Sequence, residues 1–444
     1  MSPRRIPHPA RRRAVVVAAL PLIAATLAAP GCKLVDHFVK KPTPSPSATP
    51  AVKVATGPTP PKIDYQTIRP NELGRIPVVM YHEIGGKPDP RDPALNRTVA
   101  DFRADLQTLY DAGFRPVNMA DVVNDRIDVP AGKSPVVLTF DDARATQFKL
   151  IDQANSQAID PNSAVGVMAD FHKSHPDWPL KATFYVLPKS KVTLEPFGQL
   201  GLGNQKMSWL VQNGMEIGNH TTFHKDLRRM TADQIQMEIG NANNVLNTAL
   251  AEVPGFKIET MAVPMGRFPS KANVKYLTHG VFGGKTYDYK CAMAASWRPI
   301  PSPDSKEFNP MKLERISPID GLNGIRYWVK QLTQSGGTYL RYISDGDPNV
   351  ISFPKGDESL INMAKIKAEG KLANAYAPFA GGVGGAKPIV MAPDAPSAAP
   401  GGPKPILAAG APPAGGAADA LPAAPAGDQP TVTEKASPKP ITGG

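Results

Sequence analysis

Two short segments of the chain combine the residue types that metal-assisted hydrolysis requires. Asp141 and Asp142 are adjacent and follow an apolar run, and His220 and His224 are four residues apart in a chain with 8 histidines. On extended backbone, neighbouring side chains point in opposite directions, so one carboxylate can bind a metal while the other acts as a base. Histidines at i and i+4 of a helix share a face and can bind one ion. An Asp pair after a strand is also an ordinary way to begin a loop, so only the two segments together predict a site.

The elements around these segments indicate an α/β fold. Short β-branched runs alternate with amphipathic stretches, the pattern of strands followed by crossover helices. Because Asp142 and His220 come just after predicted strands, and barrels expose their working residues at strand ends, the sequence favours barrel-like closure. We expect strands at residues 76–81, 135–140, 182–187, 261–263 and 339–343. We also expect helices that begin at Thr98 and, with a capping box to Gln234, at Thr231, and a helical segment that contains Trp328 and Leu332.

The two ends of the chain differ from its middle. Residues 1–13 are basic, residues 14–30 are apolar and Cys32 follows, which is the layout of an export signal of lipoprotein type. Ordinary cleavage and an uncleaved anchor remain open. We therefore expect an exported protein that is either anchored to the membrane at the cell envelope or secreted. The predicted divisions are an export signal at 1–32, a Pro/Ser/Thr-rich linker at 33–63, a catalytic domain at 64–374 and a disordered Pro/Ala/Gly-rich tail at 375–444.

The charge of the chain argues against a nucleic-acid-binding protein, and its cysteine content argues against a disulfide-stabilised one. Of the formal net charge of +11, residues 1–41 carry +7 and residues 381–444 carry none, which leaves +4 for the middle of the chain. That charge is too small for a nucleic-acid-binding surface. The chain has 2 cysteines, and if Cys32 is lipidated or removed, Cys291 has no partner. We expect Cys291 to be a buried apolar residue, and we make no prediction of oligomeric state.

These segments resemble the polysaccharide deacetylases with NodB homology, carbohydrate esterase group 4. Residues 139–142 (TFDD) are similar to the first motif of that family, and residues 220–224 (HTTFH) to its second, His-Ser/Thr-x-x-His. Residues 181–186 (KATFYV) resemble the strand between them. Residues 79–83 (VMYHE) resemble the opening strand of the branch that contains poly-N-acetylglucosamine deacetylases.

The resemblance implies a distorted (β/α) barrel and a role for each matched residue. Asp142, His220 and His224 would bind a divalent metal, most simply zinc, and Asp141 would be the base that activates the attacking water. The amide N–H of Met265, which follows Pro264 in the place of the third motif, would stabilise the oxyanion. The implied activity is hydrolysis of N-acetyl groups from an extracellular or cell-envelope glycan, such as an N-acetylglucosamine polymer or peptidoglycan.

The sequence also departs from this family. Met265 stands where an aromatic residue is usual, and Met261 where some branches have an arginine that pairs with the base. Residues 311–316 (MKLERI) resemble a Leu-x-Arg-Ile segment of the family but lack the histidine that protonates the leaving amine. We expect His82 to protonate the leaving amine instead, with His279 as a weaker candidate. His172 and His175 could bind a second ion, but their spacing fits a solvated helix face better.

Two alternative functions remain open at this stage. The first is an envelope-tethered carbohydrate-binding module whose active site has degenerated. The second is an amidase or esterase of the same fold with a substrate other than a polysaccharide. Aromatic platforms would favour sugars, and Trp178, Trp209, Trp297 and Trp328 are available.

Overall fold

The structure is a computed structural model that describes residues 57–85, 93–153, 156–188, 195–295, 298–334 and 341–377. The expected export signal with Cys32, residues 33–56 of the expected linker and residues 378–444 of the expected tail lie outside these residues. The divisions at 32, 63 and 374 remain predictions. No helix in the described residues has both the length and the apolar character that crossing a membrane demands.

A parallel sheet of seven strands forms the centre of the fold. Its strands are β1 Val78–Tyr81, β2 Phe114–Val117, β3 Ser134–Asp141, β4 Thr183–Val186, β5 Glu216–Asn219, β6 Thr260–Ala262 and β7 Cys291–Met293. Proceeding from one edge, the order is β7, β6, β5, β4, β3 and β1, and β2 pairs with the first half of β3. All seven are buried along their whole length, as strands covered on both faces must be, and β1, β3 and β4 are rich in β-branched and aromatic residues.

A stretch near residue 315 closes this sheet into a barrel. Leu313 forms a parallel bridge with Met293 of β7, and Ile316 forms one with Val79 of β1. The amide of Ile316 donates to Val78 O, and Ile316 O accepts from the amide of Met80. The two edges of the sheet are thus joined through one short extended segment, and the predicted α/β barrel is confirmed.

Alternate residues of each strand face the inside and the outside of the barrel. Val137 and Tyr185 pack inside with Met293, whereas Leu138 and Phe184 pack outside against the helices. The helices are α1 Val99–Asp111, α2 Met119–Val123, α3 Ala164–Ser174, α4 Gly203–Gln212, α5 Ala232–Ala249, α6 Ile325–Thr333 and α7 Met363–Ala368, preceded by a four-residue helix at Tyr65–Ile68.

The helix starts agree with their sequence signals. The Thr98 hydroxyl accepts from the amide of Asp101 at the start of α1, and Thr231 forms a reciprocal capping box with Gln234 at the start of α5. Each cap satisfies amides that the first turn leaves without partners. Gly113, just after α1, has a φ of 84°, which suits a residue without a Cβ.

Pairs of short strands surround the barrel. None of them joins the central sheet. They are Arg75–Ile76 with Ile300–Pro301, Glu83–Ile84 with Asn96–Arg97, Leu150–Gln153 with Ser156–Ile159, His279–Phe282 with Lys285–Asp288, and Val350–Pro354 with Leu372–Tyr376.

The beginning and the end of the described chain meet at the amino-terminal end of the sheet. The rings of Tyr65 and Tyr376 are 5.0 Å apart, and the amide of Asn71 donates to Ile343 O. Ser344 in turn bonds the main chain of Lys133, the residue before β3. Both ends of this part of the chain therefore lie opposite the carboxyl ends of the strands.

The structure corrects two of the strand predictions. The strand expected at 76–81 is divided at Pro77, which has no N–H to donate, into Arg75–Ile76 and β1. At 339–343, residues 339 and 340 lie outside the described residues, and Arg341 and Ile343 form isolated bridges with Arg75 and Asn71 rather than a strand.

Candidate active site

The predicted catalytic residues follow the carboxyl ends of neighbouring strands. Asp141 ends β3 and is followed by Asp142, His82 follows β1, and His220 follows β5. The carboxyl ends of parallel strands share one end of a barrel, where active sites of this architecture lie. The fold therefore brings together residues that are up to 138 positions apart in the sequence, His82 and His220.

The backbone at Asp142 differs from the expected extended form. Asp142 has a φ of 77° and Ala143 a φ of 51°, so the chain turns sharply at the end of β3. The expectation that the adjacent carboxylates point apart is therefore wrong. His220 Nε2 lies 3.8 Å from Asp141 Oδ2 and 3.3 Å from Asp142 Oδ1, so both carboxylates face the same imidazole.

The two histidines meet, although no helix carries them. The segment from His220 to His224 is an irregular loop in which Thr221 has a φ of 68° and His224 a φ of 53°. Their rings are 5.0 Å apart. The imidazoles of His220 and His224 therefore lie close together, as expected. The turn at Thr221, rather than the predicted helix, brings them together.

Asp142, His220 and His224 could bind one metal ion. A ligand atom from each lies within 4.8 Å of the other two. His220 Nδ1 bonds Ala262 O at 3.0 Å, which directs Nε2 toward the carboxylate. Asp142 Oδ1 and His220 Nε2 are buried and make no hydrogen bond, although they are 3.3 Å apart. Buried polar atoms without partners are rare, and two that face each other beside a second imidazole fit a shared cation.

Arg315 holds Asp141 in a bidentate ion pair. Its two terminal nitrogens lie 2.6 Å from Asp141 Oδ1 and 2.8 Å from Oδ2, its Nε donates to Ala294 O, and its side chain has no exposure to solvent. Burial alone would raise the pKa of Asp141, but Arg315, together with His220, outweighs it and lowers the pKa. Asp141 is therefore held as a carboxylate.

Burial and neighbouring charges shift the pKa values of Asp142, His220 and His224 in opposite directions. Burial raises the pKa of Asp142, but His220, His224 and Arg144 lower it overall, well below its usual range. Burial lowers the pKa of His224 to about 4. Burial also lowers the pKa of His220, but Asp141 and Asp142 together raise it, so a cation that binds here competes with a proton on this ring.

Arg144 binds Oδ2 of Asp142, whereas the histidines lie near Oδ1. Its Nε donates to Asp142 Oδ2 at 3.2 Å, and its terminal nitrogen lies 3.1 Å from Glu83 Oε1. The ligand carboxylate is thus oriented with one oxygen on Arg144 and the other toward the imidazoles. Such partners fix a ligand in place for its metal.

His82 and Met265 lie at the same end of the barrel. His82 is buried, its Nε2 is 4.0 Å from Asp141 Oδ2, and burial lowers its pKa. Met265 has a φ of 55° in the turn after β6. The amides of Gly266 and Arg267 donate to Val263 O and Pro264 O, whereas within the described chain the amide of Met265 makes no backbone hydrogen bond. Their roles as proton donor and oxyanion donor remain predictions.

The other candidate side chains have structural surroundings. His172 Nδ1 lies 2.7 Å from Trp178 O, the ring of His175 stacks on Phe171, and His279 is exposed beside Asp288. Trp178 is buried, Trp209 packs against Phe148, Trp328 packs against Tyr327, and Trp297 lies outside the described residues. Cys291 is buried, as expected.

A second group of carboxylates lies away from this site. Asp125, Asp304 and Glu369 have oxygens close enough to hold an ion, but Lys365 Nζ lies within 3.1 Å of all three. The ammonium group already supplies the positive charge there. We therefore interpret this group as an ion-pair network.

Residues 128–281 match the family model for polysaccharide deacetylase. The matched segment contains Asp141, Asp142, His220 and His224 in the arrangement described above. This segment belongs to the polysaccharide deacetylase family. His82 and Arg315, which also lie at the candidate site, are outside the matched segment.

Comparison with individual proteins gives weaker similarities. YxkH of Bacillus subtilis strain 168, assigned to the polysaccharide deacetylases, is 22% identical over 204 residues, which are 45% of this chain and 60% of that relative. The match thus spans less than two thirds of the length of YxkH. The Streptococcus pyogenes deacetylase PplD is 22% identical, with 59% of this chain and 99% of that chain covered and a TM-score of 0.42. IcaB from Ammonifex degensii is 15% identical, with 59% and 98% covered and a TM-score of 0.41.

Arg315 belongs to the candidate site but is not predicted from the sequence. The family resemblance suggests an arginine for the base at position 261, which is Met261. The Leu-x-Arg-Ile segment resembles the family without indicating a role for its arginine. Its position 174 residues after Asp141 gives no local signal, because the pair forms only when this segment closes the barrel.

Proposed function

We propose that the protein is a metal-dependent N-deacetylase that hydrolyses the acetamide groups of an N-acetylated glycan in the cell envelope. One observation carries the proposal. A carboxylate held ionised by Arg315 lies beside an Asp-His-His cluster in which the buried atoms Asp142 Oδ1 and His220 Nε2 have no hydrogen-bond partner. A base next to a cation site is what metal-assisted amide hydrolysis requires.

Zinc is the metal we propose for Asp142, His220 and His224. One carboxylate and two neutral imidazoles suit zinc and leave room for further ligands, as catalytic sites do. The bound ion would polarise the acetamide carbonyl and lower the pKa of water at the site. The low pKa of His224, about 4, keeps that ring neutral and able to bind at pH 7.

Side chains of the protein would transfer the protons of the reaction. We assign Asp141 as the acceptor of the proton from the attacking water, since Arg315 keeps it ionised. His82, 4.0 Å from Asp141, would return a proton to the leaving amine. The amide of Met265 would donate to the oxygen that becomes negative in the transition state.

We further propose that the protein is exported and tethered by its N-terminus, through a lipid on Cys32 or an uncleaved signal anchor. The described chain begins at the amino-terminal end of the barrel, opposite the site. A stalk that entered there would leave the catalytic end free to face a polymer.

The proposal is tested by measuring acetate released from chito-oligosaccharides, poly-N-acetylglucosamine and peptidoglycan by the purified protein, with zinc and after chelation. Asp141→Asn is the matched variant, because it keeps the shape of the side chain and removes the charge of the base. We expect zinc-dependent release from at least one polymer and loss of at least about 100-fold in the variant.

Other outcomes would favour the alternatives. Binding of an oligosaccharide without any acetate release would indicate a carbohydrate-binding module. Release from a small acetate ester or another amide, but from none of the glycans, would indicate an enzyme with a different substrate.

A further inference from the structure

The metal site opens to solvent on the side of His224. The side chains of Asp142 and His220 are each 1% exposed, whereas that of His224 is 12% exposed. A substrate must approach the cluster past the least buried ligand. The residues next to His224 in the chain are therefore the ones that we expect to meet the substrate.

Phe223 is an exposed aromatic residue directly before His224. Of the six large apolar side chains that are exposed among the described residues, it is the one aromatic, with 43% exposure. Lys225 Nζ lies 5.4 Å from the centre of its ring. A single exposed apolar residue needs no explanation in itself, but this one adjoins a metal ligand.

Hydrogen bonds anchor the main chain around Phe223, so the position of this residue beside the cluster is fixed. Its amide donates to Glu238 Oε2 at 2.9 Å, and the hydroxyl of Thr222 donates to Glu238 O at 2.8 Å. On the other side, the amide of His224 donates to Thr221 Oγ1. Glu238 belongs to α5 and is buried, so a long helix anchors the loop.

The loop that carries Phe223 is tied to the loop that carries Met265. Arg267 donates to Asp226 Oδ2 at 3.1 Å, which joins the chain after β6 to the chain after His224. The exposed ring and the candidate oxyanion donor thus belong to two linked loops beside the same metal ligands. A sugar whose acetamide reached the cluster would pass this pair of loops.

We propose that Phe223 is the platform on which a pyranose ring of the substrate stacks, so that it determines specificity for glycans. The proposal rests on the proposed function. The C–H face of a pyranose is apolar, and a flat aromatic ring on an anchored main chain provides a complementary surface at little cost in backbone entropy. None of the three described tryptophans takes this position, since each packs elsewhere.

The test compares wild type with Phe223→Ala, Phe223→Leu and Phe223→Trp. We expect KM for a chito-oligosaccharide to rise about 5- to 10-fold in the Ala and Leu variants and to return to near the wild-type value in the Trp variant. Zinc affinity and hydrolysis of an aryl acetate, which has no sugar, should stay within about twofold of wild type. Val245→Ala, which removes an equally exposed apolar side chain (41%) from α5, is the control.

The outcomes separate this proposal from the proposed function. If wild type releases acetate and Phe223→Ala has an unchanged KM, the platform is wrong and the deacetylase stands. Full rescue by leucine would mean that any apolar side chain suffices and would overturn stacking. If wild type releases no acetate, binding of chitopentaose decides: weaker binding by Phe223→Ala supports the platform in a binding protein, and equal or absent binding overturns it.

Discussion

Replacing Arg315 with methionine should destabilise the protein and impair Asp141 at the same time. The guanidinium group is fully buried and donates to both oxygens of Asp141, to Thr139 Oγ1 and to Ala294 O. Removing one partner of a buried ion pair leaves the other charge unpaired and costs about 3–5 kcal/mol. We expect a loss of this size in the free energy of unfolding at pH 7, and a loss in kcat/KM of about 10- to 100-fold.

The sign of the pH dependence follows from the ion pair. Arg315 lowers the pKa of Asp141, so the pair stabilises the fold above the pKa of the unfolded carboxyl, and this stabilisation is lost as the pH falls through the lower pKa of the folded state. The deficit of Arg315→Met relative to wild type should therefore be largest near pH 7 and shrink in acid. Burial without the arginine raises the pKa of Asp141, so the acid limb of the activity profile should move to higher pH.

Denaturant unfolding at several pH values, with the pH profile of kcat/KM, measures both effects. The double variant Arg315→Met/Asp141→Asn is the control, because it removes both charges and should be more stable than Arg315→Met alone. A deficit below about 1 kcal/mol that does not change with pH would refute the reasoning, since that is the value of an exposed pair.

Three further substitutions test other parts of the account. Burial raises the pKa of Asp304 to about 7, so this carboxyl should reduce stability as the pH rises from about 4 to 7. In denaturant unfolding, Asp304→Asn should therefore gain stability relative to wild type over this range, and parallel curves would contradict the assignment. Thr231→Ala removes the cap of α5 and should lower the free energy of unfolding by about 1 kcal/mol in a denaturant titration. Thr231→Ser should stay near wild type, and equal losses in both variants would count against the cap. Gly218→Ala would place a Cβ 2.6 Å from the ring of Tyr185 inside the barrel, so we expect a loss of about 1–3 kcal/mol in thermal unfolding, and an unchanged melting temperature would show that this ring can move.

The sequence contained enough information for the individual strands and helices and for the candidate ligand residues, because both depend on local patterns. Strand runs, capping signals and the Asp-Asp and His-x-x-x-His spacings are read within a few positions of each other. The predictions for Thr98, Thr231 and the four central strands depended on such signals and agree with the structure, apart from the break at Pro77.

The backbone conformation of the site could not be predicted from local sequence patterns. Asp142, Thr221, His224 and Met265 all have φ values between 53° and 77°, which L-residues other than glycine rarely adopt. Neither the types of these residues nor their spacing indicates such turns, so helical and extended geometry were the natural expectations. The left-handed backbone is imposed by the packing and hydrogen bonds of the surrounding loops.

Arg315 escaped prediction for a different reason. Its partner is 174 residues away, and the two meet only because residues near 315 bridge the first and last strands of the sheet. Closure of a barrel is a property of the whole sheet, and no pattern within a short window of sequence specifies which side chain of the closing segment faces inward.

One measurement tests the central claim most directly, namely that Asp142, His220 and His224 hold the ion on which deacetylation depends. Metal-free protein is titrated with zinc, and bound metal and acetate release from the productive glycan are measured in the same samples. We predict that acetate release rises in proportion to bound zinc up to one ion per chain, and that Asp142→Asn and His220→Gln lose both together. Full acetate release by metal-free protein, or by a variant that binds no zinc, would contradict the account.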